Sequence, residues 1–149
     1  ASVKRLIECK KEDLIKLVLD IEKYPEFVPF CFDAKVYEEK NQGDLIKIIA
    51  DLTIGKGPFK DTYKSDVVLD KRKDTIFVKN IEGPLNHLSN NWTFTDKQNG
   101  ITEIAFDIDF EIKNKFLNSL MVVSFQFGLE KIADAFQKRA EELFGSSKN

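Results

Sequence analysis

The sequence predicts an α+β fold, a curved antiparallel sheet of about seven strands wrapped around a long C-terminal helix, with one or two short helices after the first strand. Three observations predict it. Apolar and polar residues alternate with period two through most of residues 33–112, the pattern of an antiparallel sheet with one wet face. The last stretch, Asn114 to Phe144, keeps helical spacing for about 30 residues, roughly 45 Å of helix at 1.5 Å per residue. No repeat, linker or low-complexity segment interrupts residues 1–149, so one domain is expected.

The elements follow in order. Ser2 to Cys9 reads as a strand with interleaved charges, and Leu14, Leu17, Val18 and Ile21 recur at helical spacing between Glu12 and Glu22. Pro25 and Pro29 cannot both sit inside one regular helix, so residues 24–31 are expected to form a short helical turn or kinked connector carrying three aromatic rings. Ile46, Ile48, Ala50, Leu52 and Ile54 then share a face and stop at Gly55-Lys56-Gly57-Pro58. Phe59, Tyr63, Val67 and Leu69 alternate with polar residues, Thr75 to Ile81 is a short strand, and Leu88, Trp92 and Phe94 share a face. The cleanest alternation sets Ile104, Phe106, Ile108, Phe110 and Ile112 against Glu103, Asp107, Asp109 and Glu111.

The terminal helix has two unlike halves. Ile132, Phe136, Ala140 and Leu143 form one stripe, whereas Leu117, Leu120, Met121, Val122, Val123, Phe125 and Phe127 are apolar nearly all round. A helix half without a polar face must be covered on several sides, or must face a lipid, a partner or a hollow. Gly145 suits a C-cap. Because exposed apolar surface costs about 25 cal/mol per Å², the helix should lie across the concave side of the sheet, leaving an interior between them. Thirteen Phe provide either a heavily aromatic core or the lining of an apolar cavity.

Composition narrows the chemistry. A net charge of −2 and a pI near 5.6 give no general attraction to phosphate, so no DNA partner is expected. Lys71-Arg72-Lys73 reads as a solvated hairpin tip. Cys9 and Cys31 form no disulfide framework and have no zinc spacing, and Cys31 between Phe30 and Phe32 reads as a small buried hydrophobe. Ala1-Ser2-Val3-Lys4-Arg5 lacks the apolar run of a secretory signal, and no run of about 18 apolar residues could span a bilayer. A cytoplasmic setting is expected, with any membrane contact made from outside, at the periphery of the inner membrane. His87 has no Cys, Asp or Glu nearby at metal-ligand spacing, and no nucleophile elbow, P-loop or dinucleotide fingerprint occurs. The sequence therefore predicts no catalytic set and no metal site, and a binding protein rather than an enzyme, with a cyclase or hydrolase using the same interior as the minor alternative.

Tyr24-Pro25-Glu26-Phe27-Val28-Pro29-Phe30-Cys31 resembles the Y-P-x-F-[LV]-P-[WF]-C signature of the coenzyme Q-binding protein and ribosome-association toxin family, a branch of the START-like polyketide-cyclase superfamily. Gly83-Pro84-Leu85-x-His87-Leu88 followed by Trp92-x-Phe94 is similar to the family's G-P-F-x-x-L-x-x-x-W-x-F strand entry. Asp109-Phe110-Glu111 with Asn114-Lys115 and Leu117 resembles its D-F-x-F-x-N-x-L segment, and residues 135–140 resemble its last helix. Leu85 and Phe30 stand where the family often has Phe and Trp, and the first helix, starting from Lys10-Lys11-Glu12-Asp13, lacks the usual Ser or Thr cap.

The resemblance implies a helix-grip fold around a hydrophobic cavity. It also implies binding of ubiquinone or a related isoprenoid quinone, as a non-catalytic carrier or chaperone supporting respiration, with no separate cofactor. The alternative it implies is a ribosome-associated toxin that binds the large ribosomal subunit, for which Lys10-Lys11 with Lys71-Arg72-Lys73 is the best basic surface. On the lipid reading, Phe27, Phe30, Tyr63, Phe77, Trp92, Phe106, Leu117, Leu120, Met121 and Phe127 are the expected lining of the cavity or its portal. Tyr63, Trp92 and Asn90 are the candidates for orienting a head group. The competing expectation is that the same residues complete a tight core.

Overall fold

β1 (Ser2–Glu8) leads into α1 (Lys11–Leu19) and a 3-10 turn over Ile21–Glu26. Six strands follow: β2 (Cys31–Gln42), β3 (Leu45–Lys56), β4 (Phe59–Asp70), β5 (Thr75–Glu82), β6 (Leu85–Asp96) and β7 (Ile101–Ile112). α2 (Lys115–Phe144) is the last element of the described residues. The computed structural model describes residues 1–56, 58–83 and 85–144, and within these the side chains of 56, 59, 85, 112, 117 and 120–125 are outside the description. The proposed C-cap at Gly145 also lies outside the described residues.

All seven strands pair antiparallel in the order β1-β7-β6-β5-β4-β3-β2. The meander from β2 to β7 is thus completed by the first strand joining the last, as Ser2 pairs with Asp107 and Glu8 with Ile101. β1 is an edge strand, and an edge presents unpaired backbone groups that a protein must cover. α2 covers them. Gln126 Nε2 donates to the Ser2 carbonyl at 3.0 Å, Gln137 Nε2 to the Leu6 carbonyl at 3.2 Å, and the Glu8 amide donates to Glu141 Oε2 at 3.1 Å. Arg5 adds an ion pair to Asp134 at 2.9 Å. These contacts fix α2 parallel to β1, so residues before Gln126 run past the strand's first residue, and residues after Glu141 run past its last. That explains Leu143, exposed here although it lies on the predicted stripe.

α1 buries Leu14, Leu17 and Val18. Lys10 at its N-cap makes no side-chain capping bond, a loss of about 1 kcal/mol that Glu12 and Asp13 in the first turn partly offset through the helix dipole. Lys11 ties the helix to two hairpin ends, reaching Asp74 at 3.0 Å and Asp96 at 3.1 Å. The helix predicted over Glu12 to Glu22 stops earlier and tightens into the 3-10 turn, which admits Pro25 and leaves Pro29 outside it.

The core is aromatic. Trp92 stacks on Phe106 with centroids 4.3 Å apart and rings 7° from parallel, and α2 sends Phe136 edge-on to Trp92 at 5.2 Å. Phe27 and Tyr24 meet Phe136 edge-on at 5.1 and 5.4 Å, joining the 3-10 turn to α2. The Tyr24 hydroxyl donates to the Val18 carbonyl, which closes the turn back onto α1.

Candidate functional site

The concave face is not covered evenly. Along β7, Thr102, Ile104 and Phe106 are buried, whereas Ile108 and Phe110 on the same face are only half-buried. Val78 on β5 and Leu52 on β3 are likewise half-buried. The closed end is filled by Trp92, Phe94, Phe106, Phe136 and Leu129. Toward the other end the sheet runs on beyond Ser2, with Phe110 paired to Leu88, and there it faces the first turns of α2. The wall stays apolar where the plug stops.

Polar groups interrupt this apolar wall at three successive positions. Asn90 is buried between two partners: its Nδ2 donates to the Asp107 carbonyl at 2.7 Å, and its Oδ1 accepts the Trp92 indole N–H at 2.6 Å. Tyr63 is buried on β4, and removal of its phenol from water pushes its pKa well up, with Cys31 adding to the rise. The Ser65 hydroxyl sits beside that phenol and offsets a little of the rise. Ser65 is 1% exposed, and among the described residues its Oγ meets no partner with hydrogen-bond geometry. Sequence reading missed Ser65, although it shares the parity of Tyr63 and Val67 on one strand.

The backbone around Tyr63 is irregular. Ser65 pairs with Asn80 but Lys64 pairs with Glu82, so Ile81 is an extra residue that bulges β5. Gly83 follows at φ 141°, and a Cβ there would stand 2.6 Å from Tyr63 Cβ. Only glycine permits this approach.

The connector places Phe27 and Phe30 between sheet and helix. Phe27 is half-buried, with the Arg139 guanidinium 5.0 Å from its ring, and Arg139 pairs with Glu26 at 2.8 Å. Phe30 holds φ at 70°, a conformation that bulky residues rarely adopt and that costs of order 1–3 kcal/mol. Its carbonyl accepts the Gly55 amide at 2.9 Å, and its ring reaches α2 at Gly128, where a Cβ would lie 3.8 Å from Cε2.

The expected lining is therefore divided. Tyr63, Trp92 and Phe106 face inward, Trp92 and Phe106 within the aromatic plug, and Phe27 and Phe30 stand at the sheet–helix junction. Phe77 does not belong with them. Its neighbour Ile76 is the buried residue of β5, pairing with Trp92, and the alternation puts Phe77 on the outer face, 44% exposed. Phe127 is 65% exposed, with Lys131 Nζ 4.7 Å from its ring, so it is outside any cavity wall. The side chains of Leu117, Leu120 and Met121 lie outside the described residues.

The rim carries an open depression of about 570 Å³ lined by Asn80, Ile81, Glu82, Gly83, Asn86 and Lys113. His87 is exposed nearby and pairs with Asp109 at 2.9 Å on the wet face. At the opposite, closed end, Lys11 draws the β4–β5 hairpin next to Lys10, so the two basic stretches do meet in space. Asp74, Asp96 and Asp44 are interleaved with them, the last 3.6 Å from Arg72. Among the described residues, no helix is long and apolar enough to cross a membrane.

Comparison with known proteins matches this architecture. A Ribosome association toxin RatA of Rickettsia prowazekii is 32% identical over 142 residues, covering 93% of this chain and 94% of that one. The mitochondrial Coenzyme Q-binding protein COQ10 of Dictyostelium discoideum is 33% identical over 135 residues, covering 88% of this chain and 63% of that protein. A START superfamily protein from Mycobacterium smegmatis has the same fold, with a TM-score of 0.79 at 18% identity over 96% of this chain and 97% of the other. The helix-grip architecture expected from the sequence is the one observed. Residues 7–137, from the end of β1 to the last turns of α2, match one family throughout, and the chain belongs to it: the polyketide cyclase / dehydrase and lipid transport family.

Proposed function

We propose that the protein binds a long apolar molecule of the isoprenoid-quinone class between the concave sheet and the first half of α2, and carries it without transforming it. One observation carries this reading: past the aromatic plug the concave face stays largely apolar, and Ile108, Phe110, Val78 and Leu52 are only half-buried there, beside buried Leu88 and Tyr63. Each CH₂ of a ligand that moved from water onto that wall would contribute about 0.8 kcal/mol, so a prenyl tail gains affinity without specific polar contacts. The family's lipid-transport members and the relative named as coenzyme Q-binding support the choice of class. Ubiquinone is the proposed ligand, held for respiratory electron transport at the periphery of a membrane.

The test is to purify the protein from a quinone-producing host, extract it with organic solvent and analyse the extract by mass spectrometry. Quinone recovered in proportion to protein is the expected result. An extract without quinone, together with an unchanged melting temperature when decylubiquinone is added, would overturn the proposal.

A second reading is favoured by the relative named as a ribosome association toxin, which matches over nearly its whole length. On it, Lys10, Lys71, Arg72 and Lys73 at the closed end would meet the large ribosomal subunit. Co-sedimentation with large subunits that weakens steeply with salt would support this reading. Its absence at low salt would remove it.

A further inference from the structure

We propose that Tyr63 and Ser65 together form the polar anchor of the ligand site, two hydroxyl donors that hold a carbonyl oxygen of the ligand's head group. The inference rests on the ligand-binding reading above and specifies which end of the ligand the sheet recognises. Geometry separates the three polar candidates on the concave face, Tyr63, Trp92 and Asn90. The Trp92 indole gives its only N–H to Asn90, and Asn90 commits its oxygen to that indole and one amide hydrogen to the Asp107 carbonyl, which leaves the pair a single N–H between them. Tyr63 remains, joined by Ser65.

Ser65 Oγ is a buried hydroxyl that meets no partner with hydrogen-bond geometry among the described residues, although it lies close enough to the Tyr63 phenol to act on it as a donor. Native proteins rarely leave such a group unpaired, and a missing partner is the usual explanation. Its place in the fold indicates which partner. Ser65 lies between Ala50 of β3 and Asn80 of β5, on the concave face, one pair before Tyr63 and half-buried Leu52. The Ile81 bulge and the close approach of Gly83 press on this segment of β4 and fix where Tyr63 stands. With its pKa raised by burial, the Tyr63 phenol stays protonated across the physiological range and remains a donor. Two donors side by side suit a group that only accepts, and a carbonyl oxygen has two lone pairs to offer.

The test compares two probes of equal tail length, decylubiquinone and decylbenzene, the second lacking any oxygen. Trp92, the only tryptophan in the chain, reports binding through its fluorescence. Ser65→Ala and Tyr63→Phe should each weaken decylubiquinone binding about three- to tenfold while changing decylbenzene binding by less than about twofold. Ser65→Ala should leave the melting temperature of the ligand-free protein unchanged or raised, because it removes an unpaired buried hydroxyl rather than a bond. An equal loss for both probes, no loss for decylubiquinone, or a lower ligand-free melting temperature for Ser65→Ala would overturn the anchor while leaving ligand binding standing. Failure of the unaltered protein to bind either probe would overturn the ligand-binding reading and the anchor with it.

Discussion

Trp92 and Asn90, two residues apart on β6, are joined side chain to side chain, the indole N–H donating to Asn90 Oδ1 at 2.6 Å inside the core. The pair lets a large ring fill the closed end without leaving its one polar atom bare. Asn90→Ala would strip the indole and the Asp107 carbonyl of partners at once. A loss of roughly 2–4 kcal/mol is expected in urea unfolding, with Trp92→Phe and Asn90→Ala less than additive in the double variant. Full additivity would show that the bond does not couple them.

Gly83 is the tightest backbone contact beside the proposed anchor. Its φ of 141° and the 2.6 Å approach to Tyr63 Cβ leave no room for a methyl group, because the obstacle is the base of the side chain and not a flexible tip. Gly83→Ala should cost about 2–3 kcal/mol by denaturant titration. A neutral effect would mean that β5 relaxes freely around Tyr63.

The Glu26 carboxyl is held below its ordinary pKa of 4.5, chiefly by its hydrogen bond to Arg139 and then by Lys23. A depressed carboxylate stabilises the folded state above the ordinary value, and that contribution disappears as pH falls through the depressed one. The melting temperature of the native protein should therefore exceed that of Glu26→Gln at pH 7, with the gap closing as pH is lowered below 4.5. The pair is exposed, so about 1 M salt should also narrow the gap. A gap that ignored both pH and salt would assign the role of Glu26 to packing.

Both thiols are pushed up to about 11 from 9.0, first of all by burial. Near pH 7 the reactive thiolate is scarcer by about a hundredfold than in a free thiol, so Cys31 should label slowly and Cys9, buried in the core, only on unfolding. Raising the pH from 9.0 towards 11 ionises the unfolded thiols before the folded ones, and stability should fall across that window. Rapid labelling of Cys9 in the native protein would contradict its burial.

Much of this architecture is legible along the chain, where one side of an element is wet and the other dry. β7 is the clearest case: Asp107, Asp109 and Glu111 mark the solvent side, so Ile104 and Phe106 could only point inward. The stripe of Ile132, Phe136 and Ala140 is legible for the same reason. Phe77 is the contrary case. Both faces of β5 carry apolar residues, Ile76 and Val78 on one and Phe77 and Ile81 on the other, so alternation alone has no sign. Phe127 falls in a helix half without a polar face, where period cannot say which ring is covered. Ser65 leaves no mark in the pattern, because a small hydroxyl carries no hydrophobic signal and only its parity with Tyr63 points to it.

By itself, then, the chain determined the number and kind of its elements, the wet face of its cleanest strand and the family signature at Tyr24 to Cys31, since each depends on residues near one another in sequence. Only the tertiary structure decided which face of β5 is inside, that Trp92 and Asn90 satisfy each other, and that Ser65 is buried unpaired beside Tyr63. Those outcomes depend on register, on a bulge at Ile81 and on where α2 is fastened to β1, and each is set by contacts between segments far apart in the chain.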